Sequence, residues 1–218
     1  MTSNVPPRER ILTAAKSEFA QYGPAGARID RIAVKSSTGK ERLYAHFSSK
    51  EALFSAIAEQ LIADVAAETA LRGDDLPGYV GRLFDNLADN PEHARLSMWL
   101  KLESDGDLIG AGLDGKLLQA KLTEIRRGQK SGHIDAHWDP YELLVVVTDL
   151  ARSIAALHFS ATKPRRKGAA PSDHQSLRST AIEITRRIIA PATPDKPAAP
   201  ATRRTGRPTA NNSLARHR

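Results

Sequence analysis

Lys40, Arg42, Tyr44 and His46 alternate with Leu43 and Phe47 in one short stretch. Leu43 and Phe47 stand at i, i+4, the spacing of an apolar stripe on a helix, and leave the other four on the outer face. Two long cations, a phenol and an imidazole on a narrow helix can donate hydrogen bonds to phosphate oxygens and to base edges in the major groove of DNA. Arg42 and Lys40 suit base edges, since both favour guanine. Arg28, Tyr44 and Lys50 suit phosphates. Glu41 is the one acid among them. A solvated helix face has the same composition, so the reading depends on what positions these residues.

The positioning elements lie on either side. Ile29, Ile32 and Ala33 at i, i+3, i+4 predict a helix before Ser36-Ser37-Thr38-Gly39, and Leu43 and Phe47 predict the next one after it. Two short helices about a tight turn have the sequence form of a helix-turn-helix. Ahead of them Ile11, Ala15, Phe19 and Tyr22 line a helix from about Arg8 to Tyr22, stopped by Gly23-Pro24. Behind them Ser48 or Ser49 caps a long helix with Glu51 in its first turn, and Leu53, Ile57, Leu61 and Val65 carry its stripe to about Leu71.

At these residues the chain resembles the TetR/AcrR family of bacterial transcription regulators. The resemblance is carried by Arg10-Ile11-Leu12, Ala14-Ala15, Phe19, Gly23, Ile32-Ala33, Leu43-Tyr44, His46-Phe47 and Lys50-Glu51-Ala52-Leu53, in that order, over roughly residues 8–57. Three positions depart from it. Ser36-Ser37-Thr38 stands where the family has Ala-Gly-Val, so Ser37 must take the strain of the turn. Gly39 stands at the usual Ser/Thr cap of the third helix, and Arg28 opens the second helix where Ser or Thr is usual.

Charge supports nucleic acid as the partner. Residues 1–50 hold nine Lys/Arg and four Asp/Glu, residues 51–190 seventeen and twenty, and residues 191–218 six and one. The head and the tail are thus basic on a mildly acidic body. There are no cysteines, which excludes disulfides, a thiol sensor and cysteine-ligated metal. No apolar run approaches the ~18 residues of a membrane span, and the first twenty residues lack a signal peptide's apolar core. A soluble, cytoplasmic protein is expected.

The remaining periodicities predict helices about Leu83 and Leu87, about Leu96 to Leu102, about Leu117 to Ile125, from Pro140 through Leu157, and about Leu177 to Ile188. No segment alternates with period two, so the fold class is all-α, about nine helices. We expect a helix-turn-helix domain at 1–50, a helical ligand-binding and dimerisation body at 51–190, and a disordered Ala/Pro/Arg tail at 191–218. Leu177, Ala181, Ile184 and Ile188 at i, i+4, i+7, i+11, facing Leu150, Ile154 and Leu157, are the expected homodimer seam. Phe84, Met98, Trp99, Leu102, Trp138, His158 and Phe159 are candidates for a ligand cavity, which the resemblance places in the body. Ordinary core packing explains any one of them equally well.

Other motifs carry less. Gly206-Arg207-Pro208 is similar to the core of an AT-hook, but Thr205 replaces the arginine before the glycine, and a solubilising tail is the better reading. His133 and His137 have helical metal-ligand spacing but lie beside Gly132 and before Asp139-Pro140, in a loop, so no metal and no cofactor are expected. No phosphate loop or nucleophile elbow is present, so the chain does not read as an enzyme.

The expected function is a homodimeric, sequence-specific regulator that binds a palindromic double-stranded operator and is released by a small, largely apolar effector. The alternatives are a non-specific architectural DNA-binding protein using head and tail, and a small-molecule carrier or enzyme with a vestigial head.

Overall fold

The computed structural model describes residues 5–103, 115–160 and 173–191. The glycine stretch after Gly106, the basic loop at 163–168 and the tail from residue 192, with its AT-hook-like arginines, lie outside the described residues. Within them the chain forms nine helices and no strand: α1 (Pro7–Gly26), α2 (Ile29–Lys35), α3 (Lys40–His46), α4 (Lys50–Glu68), α5 (Leu76–Asp89), α6 (Pro91–Leu102), α7 (Gly115–Lys130), α8 (Pro140–Ser160) and α9 (His174–Ile189).

The head core is built from the expected stripes. Ile11, Ala15 and Phe19 of α1 meet Ile32 of α2, Leu43 of α3 and Leu53 of α4, all nearly or fully buried. Each fully buried Ile, Leu or Phe contributes on the order of 1.5–3 kcal/mol. Leu96 of α6 joins the same cluster, so the head packs directly on the body. Tyr22 does not: its ring is exposed and lies under the Arg31 guanidinium, 4.3 Å from centroid to Cζ.

The first helix is interrupted at Gly23, which has φ 70° and ψ 174°, where the Gly23-Pro24 stop is expected, and Pro24 then starts a separate final turn to Gly26. The fourth helix stops at Glu68 rather than near Leu71, because Thr69 leaves helical geometry and its hydroxyl donates to the Val65 carbonyl. Leu71 then turns into the body core.

In the body, α5 is the central helix and packs on α8 and α9, with α7 outside α8. Asp75 caps α5 through Gly78 N–H, and Asp173 caps α9 through Ser176 N–H. Gly73 and Gly128 touch backbone to backbone: a Cβ on Gly128 would stand 2.3 Å from the Gly73 carbonyl. That approach lets the α4–α5 connection lie flat on α7.

Candidate nucleic-acid interface

The turn between α2 and α3 is held by hydroxyls where glycine would be the simpler choice. Ser37 takes φ 50°, the left-handed region that costs a side-chain-bearing residue about 1 kcal/mol. Around it Thr38 N–H donates to Ala33 O at 3.0 Å, Ser36 Oγ to Ala33 O at 3.2 Å and Thr38 Oγ1 to Ser36 O at 3.2 Å. Ser36 and Thr38 are buried, so the turn satisfies its own polar groups.

The second helix is also anchored from α1, by a residue that sequence reasoning passed over. Glu18 is fully buried; its Oε1 accepts the Arg28 amide at 3.0 Å and the Arg31 Nε at 2.6 Å. One carboxylate thereby fixes the first turn of α2, which has no side-chain cap of its own. The available signal was a carboxylate between Ala15 and Phe19 on the apolar face of α1. Buried charge of that kind needs a partner.

With Leu43 and Phe47 buried, α3 turns Lys40, Glu41, Arg42, Tyr44 and His46 to solvent. Among the described residues the side chains of Arg42 and Tyr44 have no hydrogen bond or ion pair, and the His46 ring meets only that of Phe47, tilted and 6.5 Å away between centroids. Their polar ends are therefore open to a ligand. Lys40 differs: its ammonium forms an ion pair with Asp30 of α2. Lys40 in turn holds the Asp30 carboxyl below the usual carboxylate range. The Arg28 side chain is exposed at the start of α2. Lys50 is half-buried at the start of α4, behind the cap in which Ser49 Oγ accepts the Ala52 amide at 3.1 Å. All six expected DNA contacts thus lie at the N-cap of α2, on α3 and in the first turn of α4.

The seven residues expected to line one cavity do not converge. Phe84 is buried in the core of α5 and packs on His174 at 5.0 Å between ring centroids, and His158 meets His174 edge-on at 5.6 Å. Trp138 sits in the loop just ahead of α8, where its indole N–H donates to Ile188 O at 3.0 Å. Trp99 faces the head, and Leu102 is 74% exposed. Only Met98 and Phe159 reach a common cleft, of about 50 Å³, whose walls are almost wholly apolar and come from α5, α6 and α8. The physical reason is helix phase: residues chosen for being aromatic or large point to different sides of their helices.

Only part of the expected dimer seam faces outward. Leu177, Ala181 and Ile154 are buried inside the chain's own core, because α9 lays that stripe on α5 and α8. Of the expected seam, Ile184 is 37% exposed and Leu150, Leu157 and Ile188 are half-buried; Val146, 44% exposed, and Phe159, 37% exposed, are the exposed large apolar residues of α8. His133 and His137 are exposed in the α7–α8 loop, and no group of three or more metal-ligating residues occurs among the described residues.

Known proteins place this geometry. Residues 11–57 match the family model described as bacterial regulatory proteins, tetR family, and residues 75–187 match that of the tetracyclin repressor-like C-terminal domain. The HTH-type transcriptional repressor SCO4008 of Streptomyces coelicolor is 30% identical over 187 residues, 84% of this chain and 94% of the relative. The HTH-type transcriptional regulator RutR of Escherichia coli (strain K12) is 28% identical over 192 residues, 84% of this chain and 88% of the relative. The crystal structure of SCO4942 from Streptomyces coelicolor superposes with a TM-score of 0.71 at 37% identity, covering 84% of this chain and 98% of that one. Head and body match in chain order, and the matched head contains the outward face of α3: the chain belongs to the TetR family of DNA-binding bacterial transcription regulators.

Proposed function

We propose that the protein is a homodimeric repressor whose two α3 helices read a palindromic operator. A small, largely apolar effector bound in the body lowers its affinity for that operator. The observation that carries this reading is the outer face of α3, where Arg42 and Tyr44 stand exposed and unpaired on a helix fixed from behind by Leu43 and Phe47. Arg42 is assigned to base edges, and Arg28, Tyr44 and Lys50 to phosphates, with His46 beside them, while Lys40 is held back by its ion pair with Asp30. The outward strip of α8 and α9 around Val146 and Ile184 is the surface that pairs two chains. Pairing there puts two heads on successive turns of one duplex face, with half-sites about 34–36 Å apart. The cleft between α5, α6 and α8 is the effector site, and because it is small, its occupant must displace Met98 or Phe159. Such a regulator works in the cytoplasm, where the chromosome lies.

The test is a selection of bound sequences from random DNA, followed by competition of the selected duplex with random duplex. A palindromic consensus and a large specificity ratio are expected. A ratio near one would instead make the chain an architectural DNA-binding protein.

A further inference from the structure

Arg95 belongs to two sites at once. It lies on α6, and its side chain forms part of the cleft wall with Ser97 and Met98 of the same helix and Arg152 and Phe159 of α8. Its Nη2 also reaches out of the body and donates to the Gln21 carbonyl of α1 at 3.2 Å. Gln21 lies in the turn interrupted by the Gly23 kink, against which Trp99, one turn further along α6, is packed. One guanidinium therefore joins the cleft to the point where the head meets the body.

The charges around the cleft are unequal. Arg152 is paired with Asp149 at 2.8 Å, and Lys101 pairs with the same carboxylate. Among the described residues Arg95 has a carbonyl partner and no carboxylate. The cleft surface is almost wholly apolar, so Arg95 and Arg152 line it through their carbon stems, and the exposed Arg95 guanidinium stands at its rim without its preferred partner. A carboxylate makes a charge-assisted, bidentate pair with arginine that is roughly twice as strong as a hydrogen bond between neutral groups.

We propose that the effector of this regulator is a small amphipathic monocarboxylate. Its apolar chain seats against Met98 and Phe159, and its carboxylate engages Arg95 and Arg152, withdrawing Arg95 from Gln21. This rests on the reading of the chain as an effector-released repressor and adds the ligand class and the residue through which release acts. The logic is competition: the guanidinium serves either the head carbonyl or the ligand, so occupancy of the cleft loosens the α1–α6 contact. By linkage, operator DNA weakens the ligand by the same factor.

The test uses the full chain, the operator obtained by selection, and straight-chain carboxylates from butanoate to decanoate beside the alcohols and amines of equal chain length. The carboxylates should release labelled operator and change tryptophan fluorescence, while the alcohols and amines should do neither at the same concentrations. Arg95→Met should lower ligand-free operator affinity about tenfold, the loss of one hydrogen bond from a charged group. It should also abolish release by carboxylate. Arg152→Met should weaken carboxylate binding, read by fluorescence, about tenfold. Specific operator binding that is released equally by alcohols or amines, or an Arg95→Met protein that responds like wild type, would overturn the carboxylate and Arg95 while leaving the repressor intact. Absence of any carboxylate binding would overturn it too. Absence of a specific operator would overturn the repressor reading beneath it as well.

Discussion

The indole of Trp99 in α6 lies flat against the backbone of Gly23 in α1, so close that a Cβ on Gly23 would stand 2.7 Å from the ring. Gly23 also has φ 70°, where a side chain is strained whatever the space. Gly23→Ala should therefore destabilise the protein by about 2–4 kcal/mol, combining left-handed strain with overpacking. Gly26→Ala meets only Tyr22 Cβ at 3.3 Å and should cost far less. Thermal denaturation followed by circular dichroism compares them. Adding Trp99→Ala to Gly23→Ala should restore the steric part alone, so equal melting points for Gly23→Ala and Gly26→Ala would remove the contact.

A second junction between the same helices is sensitive to pH. His93 of α6 is buried, and Lys16 of α1 donates to its Nε2 at 2.8 Å, which leaves the ring proton on Nδ1, facing Asn86 Oδ1 at 3.4 Å. Burial first, and the Lys16 charge second, push the His93 pKa below its usual 6.5, against the opposing pull of Asp64, Glu68 and Glu92. The unfolded chain then takes up a proton at higher pH than the folded one. Stability is complete above pH 6.5 and is lost as the pH falls from there to the folded pKa. Urea denaturation across this range should show the decline, and His93→Gln should flatten it.

How far the sequence spoke for itself depended on what each signal encodes. The stripes Ile11-Ala15-Phe19 and Leu53-Ile57-Leu61 report burial directly, and these residues are in the head core. Ser37, standing where a glycine is usual, has the positive φ expected of it. Periodicity did not say which of two partners buries a stripe: Leu177 and Ala181 read as a seam between chains and are core within one. Residue size did not give direction, so the expected cavity residues scattered. Glu18, Asp30 and Arg95 act through contacts with residues distant in sequence or on a neighbouring helix, which no local pattern records.

The proposed pairing surface around Val146 and Ile184 makes a contrast that can be measured. Ala181 has no exposed surface, so Ala181→Asp places a charge in the α5–α8–α9 core and should lower the melting temperature sharply, by several kcal/mol of stability. Ile184→Glu together with Val146→Glu alters only outward positions and should leave folding near wild type. Light scattering should show that pair of substitutions converting dimer to monomer. A double variant that remains dimeric would move the interface elsewhere.

Glu18→Ala should act on the head alone. It leaves the Arg28 amide without its acceptor and Arg31 without its carboxylate, at a cost of about 1–3 kcal/mol, since Arg31 is partly solvated. Operator affinity should fall further than global stability does, because α2 then loses its fixed first turn. Equal losses in both would make Glu18 a plain core residue.

The outer face of α3 itself separates recognition from attraction. Arg42→Ala and Tyr44→Ala should each weaken operator binding by about 1–3 kcal/mol without loss of helix, since neither side chain has a partner to leave unsatisfied. Arg42→Ala should also relax base preference, whereas Lys50→Ala should weaken all sequences alike. Asp30→Ala works in the opposite direction. The Asp30 carboxyl, held ionised by Lys40, repels phosphate and restrains the ammonium that would otherwise reach it. Removing it should raise affinity for random DNA several-fold and steepen the salt dependence by about one counterion, the signature of one more phosphate contact. The specificity ratio should fall, because the freed lysine serves every sequence equally. Competition assays at several salt concentrations measure both quantities together. If Asp30→Ala leaves the salt slope and the ratio unchanged, Lys40 meets DNA in neither variant, and base reading on this face rests on Arg42 and its neighbours alone.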